Sequence, residues 1–132
     1  MKAIGDYMFY RCESLTSVKI PESVKSIGCA AFCACASLTS ITIPDGVKLI
    51  KNETFSGCDS LMSITIPDSV TVIGDYAFSY CESLTSAKIP ESVTYIGKYA
   101  LMGNGEELIL SVKPDSYAEK YANKYGLRYE SY

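Results

Sequence analysis

The chain has 132 residues, 48% hydrophobic and 20% charged, a balance that excludes disorder and makes one modest domain or part of a larger one. Its 12 basic and 15 acidic residues, net −3, offer no basic surface for nucleic acid or an anionic bilayer. The absence of histidine removes Ser-His-Asp and Cys-His catalysis and leaves zinc only cysteine and carboxylate ligands. No apolar run approaches the roughly 20 residues of a membrane span, and the opening MKAIGDYMFY lacks the apolar stretch and cleavage site of a signal peptide.

From Ile4 onward the chain repeats every 23 residues, in blocks 4–26, 27–49, 50–72 and 73–95, with a fifth that decays from 96. The columns of Ile4, Phe9, Cys12, Leu15, Val18, Ile20 and Val24 stay apolar through four blocks, so they face a core. Within each block the segment Asp6 to Arg11 has no period-2 alternation and is expected to form one tight helical turn that returns Phe9 to the core. Leu15-Thr16-Ser17-Val18-Lys19-Ile20 has the L-x-x-L-x-L spacing of a short repeat strand, with Val18 and Ile20 inward and Ser17 and Lys19 outward. Pro21 ends that strand in a turn, and a second short extended stretch is expected at Val24 to Ile27. Such coils bury too little alone and must stack, which predicts an α/β repeat solenoid dominated by strands.

After the solenoid, expected over 1–114, the segment 115–132 reads as a C-terminal cap. Ser116 and Glu119 match a capping box, Ala118, Tyr121, Ala122 and Tyr125 share one helical face, and Gly126 sits at the C′ position. A capping helix over about 117–125 and a short strand at Leu127-Arg128-Tyr129 follow from this. Deleting 115–132 is expected to uncover the last coil and cause aggregation.

The string I-G-x-x-A-F-x-x-C-x-S-L-T-S-I-x-I-P-x-S-V, nearly intact at 27–47 and 73–93, resembles the BspA-like, or Treponema pallidum-type, leucine-rich repeats over about residues 1–114. The departures are Lys51 for the usual Gly, Leu101 for Phe and Asn104 for Cys. The resemblance implies a curved solenoid of a bacterial or protozoan surface protein, secreted or at the cell surface. It also implies adhesion to host matrix proteins, other cells or neighbouring microbes, without catalytic residues to carry over.

The residues themselves offer no catalytic, cofactor or metal site. Cys12, Cys35, Cys58 and Cys81 recur at the repeat interval and read as reduced core thiols with parallel Cβ vectors. Cys29 and Cys33 fall at outward positions and read as exposed, oxidisable thiols. Glu22, Asp45, Asp68 and Glu91 follow the prolines as a solvated acidic rim, without a calcium-loop motif.

Two surfaces remain for a protein or glycan partner. The strand face presents Ser17, Lys19, Ser40, Thr42, Ser63, Thr65, Ser86 and Lys88, then Ile109 and Ser111. It is small, polar and free of aromatic anchors, and five strands at about 4.8 Å make a strip only about 24 Å long. Tyr76 and Tyr99 share a column, with Tyr80 and Tyr95 nearby, and form the aromatic alternative. A structural spacer that projects another domain is the competing role. At the other end, Met1 falls in the column of Val24, so the chain reads as a fragment that starts within a coil. Its first coils are expected to self-associate through exposed apolar groups.

Overall fold

The computed structural model describes residues 2–132, so the expectation placed on Met1 lies outside it. Each coil lays down two short parallel strands. One face carries β1 (Ala3–Ile4), β3 (Ser26–Ile27), β5 (Leu49–Ile50), β7 (Val72–Ile73) and β9 (Tyr95–Ile96). The other carries β2 (Ser17–Val18), β4 (Ser40–Ile41), β6 (Ser63–Thr65), β8 (Ser86–Ile89) and β10 (Ile109–Val112). Pairing follows the repeat, with Ser17 opposite Ser40, Ser63 opposite Ser86 and Ser86 opposite Ile109. The molecule is therefore a strand-dominated solenoid whose layers are the sequence blocks.

Stacking aligns like with like. Phe9, Phe32, Phe55 and Phe78 form a spine with ring centroids 5.2, 5.6 and 5.3 Å apart and planes within 10° of parallel. Leu101 ends it. Beside the spine, three of the column thiols donate to the phenylalanine carbonyl of the coil before: Cys35 to Phe9 at 3.1 Å, Cys58 to Phe32 and Cys81 to Phe55 at 3.2 Å each. A small apolar side chain with a weak donor suits that spot better than an aliphatic one.

The segment expected to be a helical turn is instead a third ladder. Tyr7, Phe9 and Arg11 send their N–H groups to Cys29, Ala31 and Cys33 of the next coil at 2.8 to 2.9 Å, while Met8, Tyr10 and Cys12 close short turns within their own coil. Alternating the two directions forces left-handed backbone in two columns. One holds Tyr7, Ala30, Glu53, Tyr76 and Tyr99, and the other holds Arg11, Ala34, Gly57, Tyr80 and Gly103. Every second N–H thus bonds across coils, and the i to i−3 bonds that remain on the alternate residues close separate turns rather than one continuous helical turn.

Side chains brace the same joints. Asp6 accepts the Cys29 N–H at 2.8 Å, Asn52 the Asp75 N–H at 2.9 Å and Asp75 the Lys98 N–H at 2.8 Å. Each brace presses on the glycine of the next coil: a Cβ at Gly28 would lie 2.4 Å from the Asp6 nitrogen, and one at Gly97 would lie 2.4 Å from the Asp75 carboxylate. Cys29 supplies no such acceptor, and the glycine it would require is Lys51. At that joint both sheets divide, into β1-β3 and β5-β7-β9 on one face and β2-β4 and β6 onward on the other. The turn ladder and the Phe32–Phe55 stack continue across it.

The far end is covered by helix α1 (Tyr117–Tyr125) and strand β11 (Arg128–Ser131). Ser116 Oγ accepts the Glu119 N–H at 3.1 Å, the Glu119 carboxylate accepts the Asp115 N–H at 3.1 Å, and Gly126 takes the left-handed cap with φ 67°. Ala118, Tyr121 and Ala122 are buried against the last coil. β11 pairs with β10 as one further rung, at an offset of 19 residues rather than 23, with Ile109 opposite Arg128.

Candidate functional site

On the strand face Ser17, Lys19, Ser40, Thr42, Ser63, Thr65, Ser86 and Lys88 are all exposed, because the inward positions between them hold Val18, Ile41, Ile64 and Ala87. β10 and β11 extend the strip with Ser111, Arg128 and Glu130. There its chemistry changes: the ammonium groups of Lys88 and Lys113 lie 4.4 and 4.8 Å from the ring centre of Tyr132. Partial burial, and then the carboxylates of Asp68 and Glu91, raise the Tyr132 hydroxyl pKa. Reading the repeat could not find Arg128, Glu130 or Tyr132, since their 19-residue offset breaks the period that located the rest.

The four tyrosines do not form one cluster. Tyr76 and Tyr99 sit side by side, centroids 5.3 Å apart, with the Lys98 ammonium 5.2 Å from the Tyr99 ring. Tyr80 lies over Gly103, where an added Cβ would come within 2.5 Å of its ring. Tyr95, on β9, pairs instead with Tyr117 of α1 at 6.4 Å. Tyr76, Tyr80 and Tyr99 all adopt positive φ, near 58°, in columns where glycine would avoid the strain.

All six thiols are free. Cys35, Cys58 and Cys81 are fully buried. Burial pushes the Cys35 thiol up to about 11 and the Cys81 thiol up to about 12, and it raises Cys58 further in the same direction. Cys12 is only half-buried, although it belongs to the same column. Cys29 and Cys33 differ from the exposed thiols expected of them, since both are half-buried by the coils on either side. Burial, with the Glu53 carboxylate beside it, raises the Cys33 pKa, which disfavours a reactive thiolate. Glu22, Asp45, Asp68 and Glu91 form an exposed rim, and among the described residues no three cysteine or carboxylate side chains converge as a metal site would require.

A cleft of about 510 Å³ opens between the turn segment of the fifth coil and the C-terminal end of α1. Its buried part is Leu101, Leu108 and Tyr121, and its exposed rim carries Tyr99, Met102 and Tyr125. Burial pushes the Tyr121 hydroxyl up to about 12, with Tyr125 next to it at 4.6 Å between centroids. Asn104, which stands where the repeat has cysteine, lines the same cleft and accepts the Cys81 N–H at 2.8 Å. Sequence reasoning missed the cleft, because it exists only where helix and coil meet.

Comparison with known proteins agrees with this geometry. The family model described as the BspA type leucine rich repeat region matches residues 2–115 in six copies. A leucine rich cell surface protein of Faecalibacterium prausnitzii is 37% identical with a TM-score of 0.83, over 92% of this chain and 32% of that one. The T. pallidum leucine rich repeat protein is 40% identical with a TM-score of 0.79, over 86% of this chain and 52% of that one. A pneumococcal vaccine antigen shares the fold at 16% identity and a TM-score of 0.73, over 100% of this chain and 42% of that one. The chain thus spans between a third and about half of these proteins. Among curated proteins it finds no match.

Proposed function

Since the chain belongs to the BspA-type leucine-rich repeat family, we propose that it is a non-catalytic binding module of a microbial cell-surface protein, used in adhesion to a host protein or glycan. The observation that carries this reading is the row of exposed side chains in fixed 23-residue register on the strand face, from Ser17 and Lys19 to Ser86 and Lys88. A second support is the ring pair of Tyr76 and Tyr99, with Tyr80 over Gly103 of the next coil, all three on strained backbone. Tyrosine combines contact area with a hydroxyl at small entropic cost. Among the described residues no helix is long and apolar enough to cross a membrane.

Pull-down of host matrix proteins and glycans with the domain tests the reading. Alanine replacement of the strand-face residues and, separately, of the tyrosines assigns the surface: saturable capture lost in either set supports the module. Absence of any saturable capture supports the spacer instead, a role favoured by the small polar character of the strand face. The half-buried Phe9, Leu15 and Val18 favour self-association through the first coil. Light scattering over a concentration series tests that.

A further inference from the structure

We propose that Asn104 is a self-modification site: the Gly105 nitrogen closes on its side chain, expels ammonia and leaves aspartate or isoaspartate at that position on the cleft wall. The reaction needs no partner and is independent of the binding-module reading. Packing dictates the dipeptide. A Cβ at Gly105 would lie 3.0 Å from the Glu82 carbonyl oxygen, and Gly103 takes φ 76° beneath the Tyr80 ring, so the turn of the fifth coil sets Asn104 between two glycines. With no side chain on Gly105, nothing on that residue shields its nitrogen from the Asn104 carboxamide.

Hydrogen bonding separates Asn104 from the other two asparagines, Asn52 and Asn123. The Cys81 N–H donates to Asn104 Oδ1 at 2.8 Å, which identifies the oxygen, pins the side chain and draws electron density from Cγ. Nδ2, the leaving group, is buried with no partner to hold it. Among the described residues the Gly105 N–H has no acceptor, and Gly105 is exposed to the water and base the reaction needs. Asn52 shares the first feature, since its Oδ1 accepts the Asp75 N–H at 2.9 Å, but the nitrogen beside it is occupied: the Glu53 N–H donates to the Asp75 carbonyl at 2.9 Å. Asn123 precedes Lys124 in the last turn of α1, where helical backbone holds that nitrogen.

The step balances without oxidant or cofactor. A bond forms from the Gly105 nitrogen to Cγ as the Cγ–Nδ2 bond breaks, and the amide proton leaves with Nδ2 as ammonia. One water then opens either carbonyl of the five-membered imide. Aspartate keeps an acceptor for the Cys81 N–H, as Asp6 and Asp75 accept N–H groups at their own joints, and it adds a negative charge to the cleft that Arg128 also lines.

The test is incubation of the full folded chain in mildly alkaline buffer, then peptide mass spectrometry. Digestion in heavy-oxygen water marks any acid formed during work-up, so that only acid formed in the native chain is counted. The expected result is conversion of Asn104 to a mixture of aspartate and isoaspartate, the signature of an imide, about tenfold or more faster than at Asn52 and Asn123 and faster still as pH rises. Gly105→Ala should slow it about tenfold or more. Since that variant crowds the Glu82 carbonyl, hydroxylamine added to the native chain gives a second readout: it should capture the imide at this one asparagine. No acid at Asn104, equal rates at the three asparagines, aspartate without isoaspartate, or conversion only in the urea-unfolded chain overturns the proposal.

Discussion

The first and fourth blocks match at 17 of 23 positions, yet the chain buries them very differently. Phe78, Cys81 and Leu84 are almost completely buried, with relative exposures of 2%, 0% and 1%, while their counterparts Phe9, Cys12 and Leu15 are only half-buried. Local sequence is nearly the same in both. What differs is the presence of a described coil on each side: the fourth block lies between the third and fifth, whereas among the described residues the first is packed by a coil on one side. Burial in this fold is a property of the stack, as expected when each unit contacts only adjacent units.

The largest consequence concerns the phenylalanine spine. Phe78→Ala is expected to cost about 3–5 kcal/mol, and Phe9→Ala about 1–2 kcal/mol, in urea unfolding followed by circular dichroism. Equal losses would break the comparison. Alkaline pH gives the next effect. Cys58 and Cys81 have folded pKa values raised above the ordinary thiol value near 9, so their contribution is complete below that value and is lost as pH rises through the folded values. Unfolding free energy should fall by about 1.4 kcal/mol per thiol for each pH unit above 9. Cys81→Ala should remove one thiol's share of that slope.

The joint between the second and third coils sharpens the comparison from another side. It is where Cys29 and Lys51 replace the brace and the glycine used elsewhere, and where both sheets divide. Cys29→Asp alone or Lys51→Gly alone should be neutral to destabilising. Together they should stabilise by about 1 kcal/mol, with a non-additive coupling that a double-mutant cycle reads directly. Additive effects would show that the glycine and the brace are independent.

These differences also explain how far the sequence could be read. Strand positions, the inward columns and the cap were legible because Val18, Ile20, Ser116 and Glu119 obey local rules of period and capping. The Asp6–Arg11 segment was misread because its hydrogen bonds reach 22 residues ahead, where no window of local propensity looks. The half-burial of Cys29 and Cys33 was hidden for the same reason, since coils on either side cover them. At the candidate sites, Ser17 to Lys88 followed from alternation, and the pairing of Tyr76 with Tyr99 followed from the repeat. The pairing of Tyr95 with Tyr117, the Lys88–Lys113–Tyr132 cluster and the cleft under α1 depend on how the cap docks, which the repeat does not encode.

Peptide-mapped thiol labelling of the native chain tests most directly whether neighbours, rather than local sequence, set burial. Cys12 and Cys81 lie in nearly the same string, F-Y-R-C-E-S-L-T-S and F-S-Y-C-E-S-L-T-S, so a local cause would label them alike. Stacking predicts modification of Cys12 under native conditions, together with half-buried Cys29 and Cys33, while Cys35, Cys58 and Cys81 react only on unfolding. Equal native rates at Cys12 and Cys81 would contradict the account.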